Sequence, residues 1–315
     1  MNPSDARIVF FGSGEIAIPA LLRLIECGLR PLALVTQPDK PAGRHRELTP
    51  PPIKRVALEA GVPVVQPISV RDPEFLTSLT DLMPDVVVVM AYGQILPKSL
   101  IAIPRIACIN LHASLLPRHR GASCIQAAID QGDRETGITV MHVVPKLDAG
   151  DIIHAIATPI LPEDTGGVLH DRLAGIAADA LAEALPRLLE DRADRVPQDA
   201  DLSTYAPKME RDDGRIDWSW DAERIARRVR AFDPWPGTWT LADDGQGVKR
   251  LKVFSATDSV GDGGEPGLVM VGDDGQVSVA CGVGRLLLGD VQADGSRRMS
   301  ARDWAKGHRG KMRFT

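Results

Sequence analysis

The chain has 315 residues, 44% hydrophobic and 25% charged, so it can bury a sizeable core as one large α/β unit or two domains. A net charge of −5 excludes a protein that coats nucleic acid or anionic membrane with a general positive field. No apolar run approaches the ~18 residues of a membrane span, Met1 to Arg7 lacks the regions of a signal peptide, and Cys27, Cys108, Cys124 and Cys281 show no C-x-x-C spacing, so the expected home is the cytoplasm.

From Arg7 to about Glu190, short β-branched runs alternate with helical stretches, which predicts an α/β, Rossmann-like, mostly parallel sheet. Ile8 to Phe11 reads as the first strand, Ala17 to Ile25 as a helix, and Leu32 to Val35 as the next strand. Val86 to Met90 is a continuous apolar run, as expected of a central strand buried on both faces. Ala107 to His112 reads as another strand. Gly137 to Val143 alternates as a half-exposed strand would, and a helix capped by Asp164 or Thr165 runs to Leu189. Residues 191–207 are polar, carry Pro197 and Pro207 and have no period, which predicts a linker between residues 1–190 and 208–315. Beyond it, Asp221 to Phe232 reads as a basic amphipathic helix. Strands follow at Thr238 to Leu241, Leu251 to Phe254, Gly267 to Met270, Gln276 to Ala280 and Arg285 to Leu288, separated by Gly and Asp as in a small β-barrel of OB-like type.

Gly12-Ser13-Gly14-Glu15-Ile16-Ala17 matches the G-x-G-x-x-A dinucleotide fingerprint after a strand. The acid expected at the end of the second strand is replaced by Thr36 and Gln37, so a tight strand-to-helix turn is the stronger reading. The proline-rich segment 37–52, with basic Lys40, Arg44 and Arg46, is a long loop at a strand's C-terminal end, where α/β sheets place ligand crevices or simply solvated surface.

Strand alternation puts Asn110 and His112 on one face. Asn110 offers an amide for an oxyanion and His112 a group that titrates near neutrality, although a core hydrogen-bonded pair would look the same. The turn Ser114 to Ala122 follows, and Asp148 arrives in a later Gly-bearing turn, where a carboxylate reaching His112 would orient it and raise its pKa. His119, His142 and His154 show no metal-ligand spacing, and no metal is expected.

Met90-Ala91-Tyr92-Gly93-Gln94-Ile95-Leu96-Pro97, Asn110 to Arg118 and Leu147-Asp148-Ala149-Gly150-Asp151 together resemble the formyltransferases that use 10-formyltetrahydrofolate. Gln37 to Arg44, Tyr205-Ala206-Pro207-Lys208 and Arg230 to Gly237 narrow the resemblance to the branch that formylates methionyl-tRNA, over nearly the whole chain. The resemblance implies catalytic roles for Asn110, His112 and Asp148. It places the folate cosubstrate near Tyr92, Gln94, Ile95, Leu96, Ser114, Leu115, Leu116 and Pro117. It also implies contacts to aminoacylated initiator tRNA from Lys40, Arg44, Arg46, Lys208, Arg227 and Arg230. Val144-Pro145-Lys146, Ala149 and His119 depart from the family pattern. An amine on a sugar nucleotide is the alternative acceptor; no membrane partner is expected, and the chain is read as a monomer.

Residues 206–315 hold 18 Lys and Arg against 17 Asp and Glu. Nucleic-acid contact must therefore come from patches: Arg224, Arg227, Arg228 and Arg230 on one helix, Lys249, Arg250 and Lys252, and the tail Lys306 to Arg313.

Overall fold

The structure is a computed structural model, and it describes residues 5–42, 47–243, 247–259, 261, 263–307 and 312–315. The short β-branched runs become strands: β1 (Ile8–Gly12), β2 (Ala33–Val35), β3 (Lys40–Ala42), β4 (Glu47–Thr49), β5 (Val64–Val65), β6 (Val86–Met90), β7 (Ala107–His112), β8 (Glu135–His142) and β9 (Ile152–Pro159). Seven of them form one sheet in the order β5-β2-β1-β6-β7-β8-β9, while β3 and β4 make a separate hairpin. Pairing is parallel from β5 through β7, and β8 runs antiparallel to β7. The valine run β6 lies at the centre and is buried at all five positions.

The helices are α1 (Ile18–Glu26), α2 (Pro52–Glu59), α3 (Pro73–Asp81), α4 (Lys98–Ile101), α5 (Cys124–Asp130) and α6 (Gly166–Leu189). Proline opens α1, α2 and α3, where its missing N–H has no intrahelical partner to lose. Thr165 Oγ1 accepts from Val168 N (3.2 Å) and so caps α6, whereas Asp164 accepts from Leu161 N (2.7 Å) in the preceding turn. On one sheet face Val9, Phe11, Val35, Val87, Val89 and Cys108 pack with Phe75, Leu79, Tyr92 and Leu100. Because Cys108 points into this core, period two sends Asn110 and His112 to the same face, beyond its C-terminal edge.

β8 is buried from Thr136 to Met141, which corrects the half-exposed expectation. The reason is tertiary. β7 and β9 flank it, and Leu115 lies over Gly137, where any Cβ would collide with Leu115 and with the Ile156 carbonyl.

The chain divides into two compact units, Met1–Cys124 with Glu135–Thr158 and His170–Ala206, and Ile125–Arg134 with Pro159–Leu169 and Pro207–Thr315. The second contains α7 (Ala222–Ala231), β10 (Thr238–Asp243), β11 (Val248–Val253), β12 (Ala256–Ser259), β13 (Val269–Val271), β14 (Val277–Ala280), β15 (Arg285–Leu288), β16 (Asp290–Ala293), β17 (Met299–Ser300), α8 (Ala301–Ala305) and β18 (Arg313–Phe314). Its antiparallel strands form two sheets, β17-β16-β11-β10-β18 and β12-β15-β14-β13. Both line one core with Trp218, Ile225, Val229, Leu251, Val279 and Phe314, as the walls of a barrel do. In this unit the sequence reading misses β12 and β16 to β18, each of four residues or fewer.

Candidate active site

β7 pairs with β6 through Val89 and Asn110 and with β8 through His112 and Thr139, so both polar residues stand at the carboxyl end of the sheet's middle. Asn110 is half-buried, and its amide makes no hydrogen bond to another described residue. His112 is 6% exposed. Its Nε2 donates to the His119 carbonyl at 2.8 Å, which leaves Nδ1 facing Asp148 Oδ2 at 3.8 Å, an ionic separation longer than a hydrogen bond. Burial disfavours the imidazolium, but Cys124, the Asp148 carboxylate and the His119 carbonyl outweigh it and push the His112 pKa up to about 9.

Two loops hold this pair. In the first, Thr139 Oγ1 donates to the Ser114 carbonyl (2.7 Å) and accepts from Leu116 N (3.1 Å), while Ser114 Oγ donates to the Arg118 carbonyl (2.7 Å). The loop then turns through His119 at φ 54° and Gly121 at φ 106°. In the second, Asp148 has φ 47°, and its Oδ2 accepts from Gly121 N at 2.8 Å. Left-handed backbone at two non-glycine residues around one side chain is the kind of strain that gathers at functional sites. Gly121 and Gly150 are required by close approach: a Cβ on Gly121 would overlap the Ala206 carbonyl, and one on Gly150 the His142 carbonyl.

The segment read as a linker is folded onto this site. Gln198 Nε2 donates to the Asp148 and Gly150 carbonyls (2.9 and 2.8 Å), and its Oε1 accepts from Arg120 Nε and Nη2 (3.1 and 2.7 Å). His119 N donates to Thr204 Oγ1 (2.8 Å), and across the Arg120–Tyr205 bridge Arg120 N donates to the Thr204 carbonyl (2.9 Å) while Ala206 N donates to the Arg120 carbonyl (2.7 Å). Sequence reasoning missed Gln198, Arg120, Thr139, Thr204 and Cys124. Thr139 lies in the predicted strand and Arg120 in the predicted turn, but nothing local to any of the five gives it a partner at the site, because those partners are distant in sequence.

Several expected ligand residues have other employment. Tyr92 is 3% exposed and packs edge-on against Phe11 at 5.1 Å, with burial raising its hydroxyl pKa to about 12, and Leu96 is in the same core. Their side chains pack on the sheet face formed by Val9, Phe11, Val87 and Val89. Gln94 accepts from Val70 N (3.1 Å) and donates to the Ile68 carbonyl (3.3 Å), pinning the neighbouring loop. Ser114 and Leu116 are buried, Leu115 and Pro117 half-buried, and Ile95 is 71% exposed.

Among the basic residues, Lys40 and Lys208 are exposed, while Arg44 and Arg46 lie outside the described residues. Arg227 pairs with Glu223 and donates to the Asp130 carbonyl (3.3 Å), and Arg230 donates to the Asp164 carbonyl (3.3 Å), burial lowering its pKa. Arg224 and Arg228 lie over the Trp220 ring, and Arg228 pairs with Asp130 at 2.7 Å. The expected cationic face of α7 is therefore largely consumed within the second unit, whereas Lys249 and Lys252 on β11 are exposed. The tail candidates are only partly described, because residues 308–311 lie outside the described set.

In the turn after β1, Ser13 N and Gly14 N donate to the Ala91 carbonyl (3.2 and 3.3 Å), so the amides a dinucleotide phosphate would need are occupied. Among the described residues no group of three or more His, Cys, Asp or Glu could hold a metal ion, and no helix is long and apolar enough to cross a membrane.

Residues 6–185 match the family described as formyl transferase, and residues 208–309 match formyl transferase, C-terminal domain. The chain is 51% identical over 305 residues to methionyl-tRNA formyltransferase of Akkermansia muciniphila, covering 96% of each. An N-formyltransferase from Helicobacter canadensis, solved with folinic acid and dTDP-3-aminofucose, superposes with TM-score 0.67 at 14% identity over 93% of this chain and 100% of its own. HypX from Aquifex aeolicus, solved with tetrahydrofolic acid, superposes with TM-score 0.61 at 18% identity over 95% of this chain; the chain spans just under half of that protein, 46%. At such identities these two structures share the fold.

Proposed function

We infer the activity from membership: the chain belongs to the formyl transferase family, and within it to the methionyl-tRNA formyltransferases. It transfers a formyl group to the α-amine of methionyl-tRNA, the step that yields the formylated initiator for translation. The donor is 10-formyltetrahydrofolate, supported by the folates bound to the two structural relatives and by the exposed Ile95 beside Gly93.

The observation that carries the site assignment is the unengaged Asn110 amide beside the buried His112–Asp148 pair. The amine attacks the formyl carbon, and charge builds on the formyl oxygen. Asn110 donates a hydrogen bond to that oxygen and the His112 imidazolium supplies positive charge, in a site where neither must be reorganised. Asp148, together with Cys124, favours the charged imidazole, and the His119 carbonyl orients the ring. The carbon–nitrogen bond to the folate then breaks, and the proton lost by the amine passes, directly or through water, to the departing N10 with Asp148 as relay. Positioning of the two substrates supplies a further share of the rate.

Residues 1–190 form the catalytic part in this reading and residues 208–315 the tRNA-binding part, with Lys40, Lys208, Lys249 and Lys252 as cations available to phosphates. Arg227 and Arg230 act by shaping α7 and not by direct contact. The protein works in the cytoplasm as a monomer. The deciding experiment offers methionyl-tRNA and a sugar-nucleotide amine in competition for 10-formyltetrahydrofolate. Formylation of the tRNA is expected; transfer to the amino sugar alone overturns the reading.

A further inference from the structure

Gln198 joins two loops that approach His112 from different sides. Its Nε2 lies between the carbonyls of Asp148 and Gly150, and its Oε1 receives both bonds from Arg120, a residue only 8% exposed. Among the described residues those are the only hydrogen bonds made by the Arg120 side chain. Arg120 directly follows His119, whose carbonyl holds His112 Nε2, and directly precedes Gly121, whose N–H holds the Asp148 carboxylate. One carboxamide thus ties the backbone of the Asp148 turn to the loop that fixes the other end of the imidazole. Left-handed backbone carries a cost even at Asp, which tolerates it better than most residues, so surrounding contacts are needed to hold the Asp148 turn. The Gln198 donors are two of those contacts at the turn itself.

We propose that Gln198 is a positioning residue for formyl transfer, a bracket between the Asp148 turn and the Arg120 loop that sets the separation of Asp148 from His112. The proposal rests on the functional reading above. A carboxamide suits the task because it offers two donors on one side and an acceptor on the other without charge. The groups that face His112 are Asp148 from the turn between β8 and β9, Cys124 from the start of α5, and the His119 carbonyl. Only Asp148 and the His119 carbonyl are held through loops that Gln198 joins. Loosening the bracket therefore lets the carboxylate drift from the ring and weakens the field that keeps it protonated.

The test uses the full chain, with Gln198→Ala and Gln198→Glu. The second variant keeps acceptors for Arg120 but sets a carboxylate against two carbonyl oxygens, so it removes the bracket without emptying the site. Three quantities are measured: kcat and KM for formylation of methionyl-tRNA, the melting temperature, and the His112 titration midpoint by NMR, assigned with His112→Gln. Both variants should lose about tenfold or more in kcat, the scale of a small misplacement of catalytic groups, with KM within about twofold. Their His112 midpoint should fall below that of the wild type. A kcat within about twofold of wild type in both variants overturns the proposal, as does a loss of activity that follows the folded fraction while the midpoint stays put. An inactive wild type overturns the formyltransferase reading and the proposal with it, whereas an active wild type with unchanged variants overturns the proposal alone.

Discussion

Asp148 is held 3.8 Å from His112 not by a hydrogen bond between them but by the N–H of Gly121, which binds the same carboxylate oxygen at 2.8 Å. The backbone thus anchors the acid and leaves the imidazole paired electrostatically, with one nitrogen on the His119 carbonyl. A carboxylate fixed by the main chain keeps its place when the ring changes charge or partner.

Removing a member of the trio removes an oxyanion donor or its orienting charge. Asn110→Ala, His112→Ala and Asp148→Ala should each lower kcat by at least ~10²-fold, with KM for methionyl-tRNA little changed. Single-turnover formylation together with circular dichroism checks this, and near-normal turnover by all three folded variants would defeat the catalytic assignment.

The His112 pKa is raised from 6.5 to about 9 in the folded chain. Between those values the native state holds a proton that the unfolded chain has released, so stability falls as pH rises. This contribution is full below pH 6.5 and lost as pH passes about 9. Melting temperature should decline across that window in the wild type and decline less in His112→Gln. Equal slopes in the two proteins would refute it.

Gly121 combines φ 106° with a backbone approach that leaves no room for a side chain. Gly121→Ala should destabilise the chain by about 2 kcal/mol or more, from left-handed strain and overpacking, and move the N–H that holds Asp148. Urea unfolding measures the first effect and kcat the second. A variant as stable and active as wild type would show that the loop can open freely.

Ile95 is 71% exposed, so its replacement should leave folding alone. Ile95→Asp is expected to raise KM for 10-formyltetrahydrofolate about tenfold, by losing an apolar contact and adding charge, with melting temperature unchanged. An unaltered KM would remove Ile95 from the donor site.

Phosphate contacts make affinity fall with salt through counterion release. Lys208→Ala and Lys252→Ala should each weaken tRNA binding and reduce the slope of log Kd against log salt by about 1, while Arg227→Ala should mainly lower stability. Filter binding over a salt series tests this; an unchanged slope for both lysine variants would place the tRNA elsewhere.

The sequence by itself determined the alternation of strand and helix, the central valine strand β6, and the placing of Asn110 and His112 on one face of β7. These are local: apolar content and period two act within a few residues, and the ends of β6, β7 and β15 fall where the pattern ends. It also marked Asp148 through a turn motif, and the resemblance supplied the substrate. What only the tertiary structure decided is how the site is held. Tyr92 and Leu96 belong to the core because they pack on the apolar sheet face of Val9, Phe11, Val87 and Val89. Arg227 and Arg230 bind carbonyls of their own unit. The polar stretch around Gln198, with no period to read, packs beside His112 and Asp148 because its amide and backbone groups satisfy those of two loops distant in sequence. Hydrogen bonds of that range leave no trace in local pattern, since each partner alone is an ordinary turn residue.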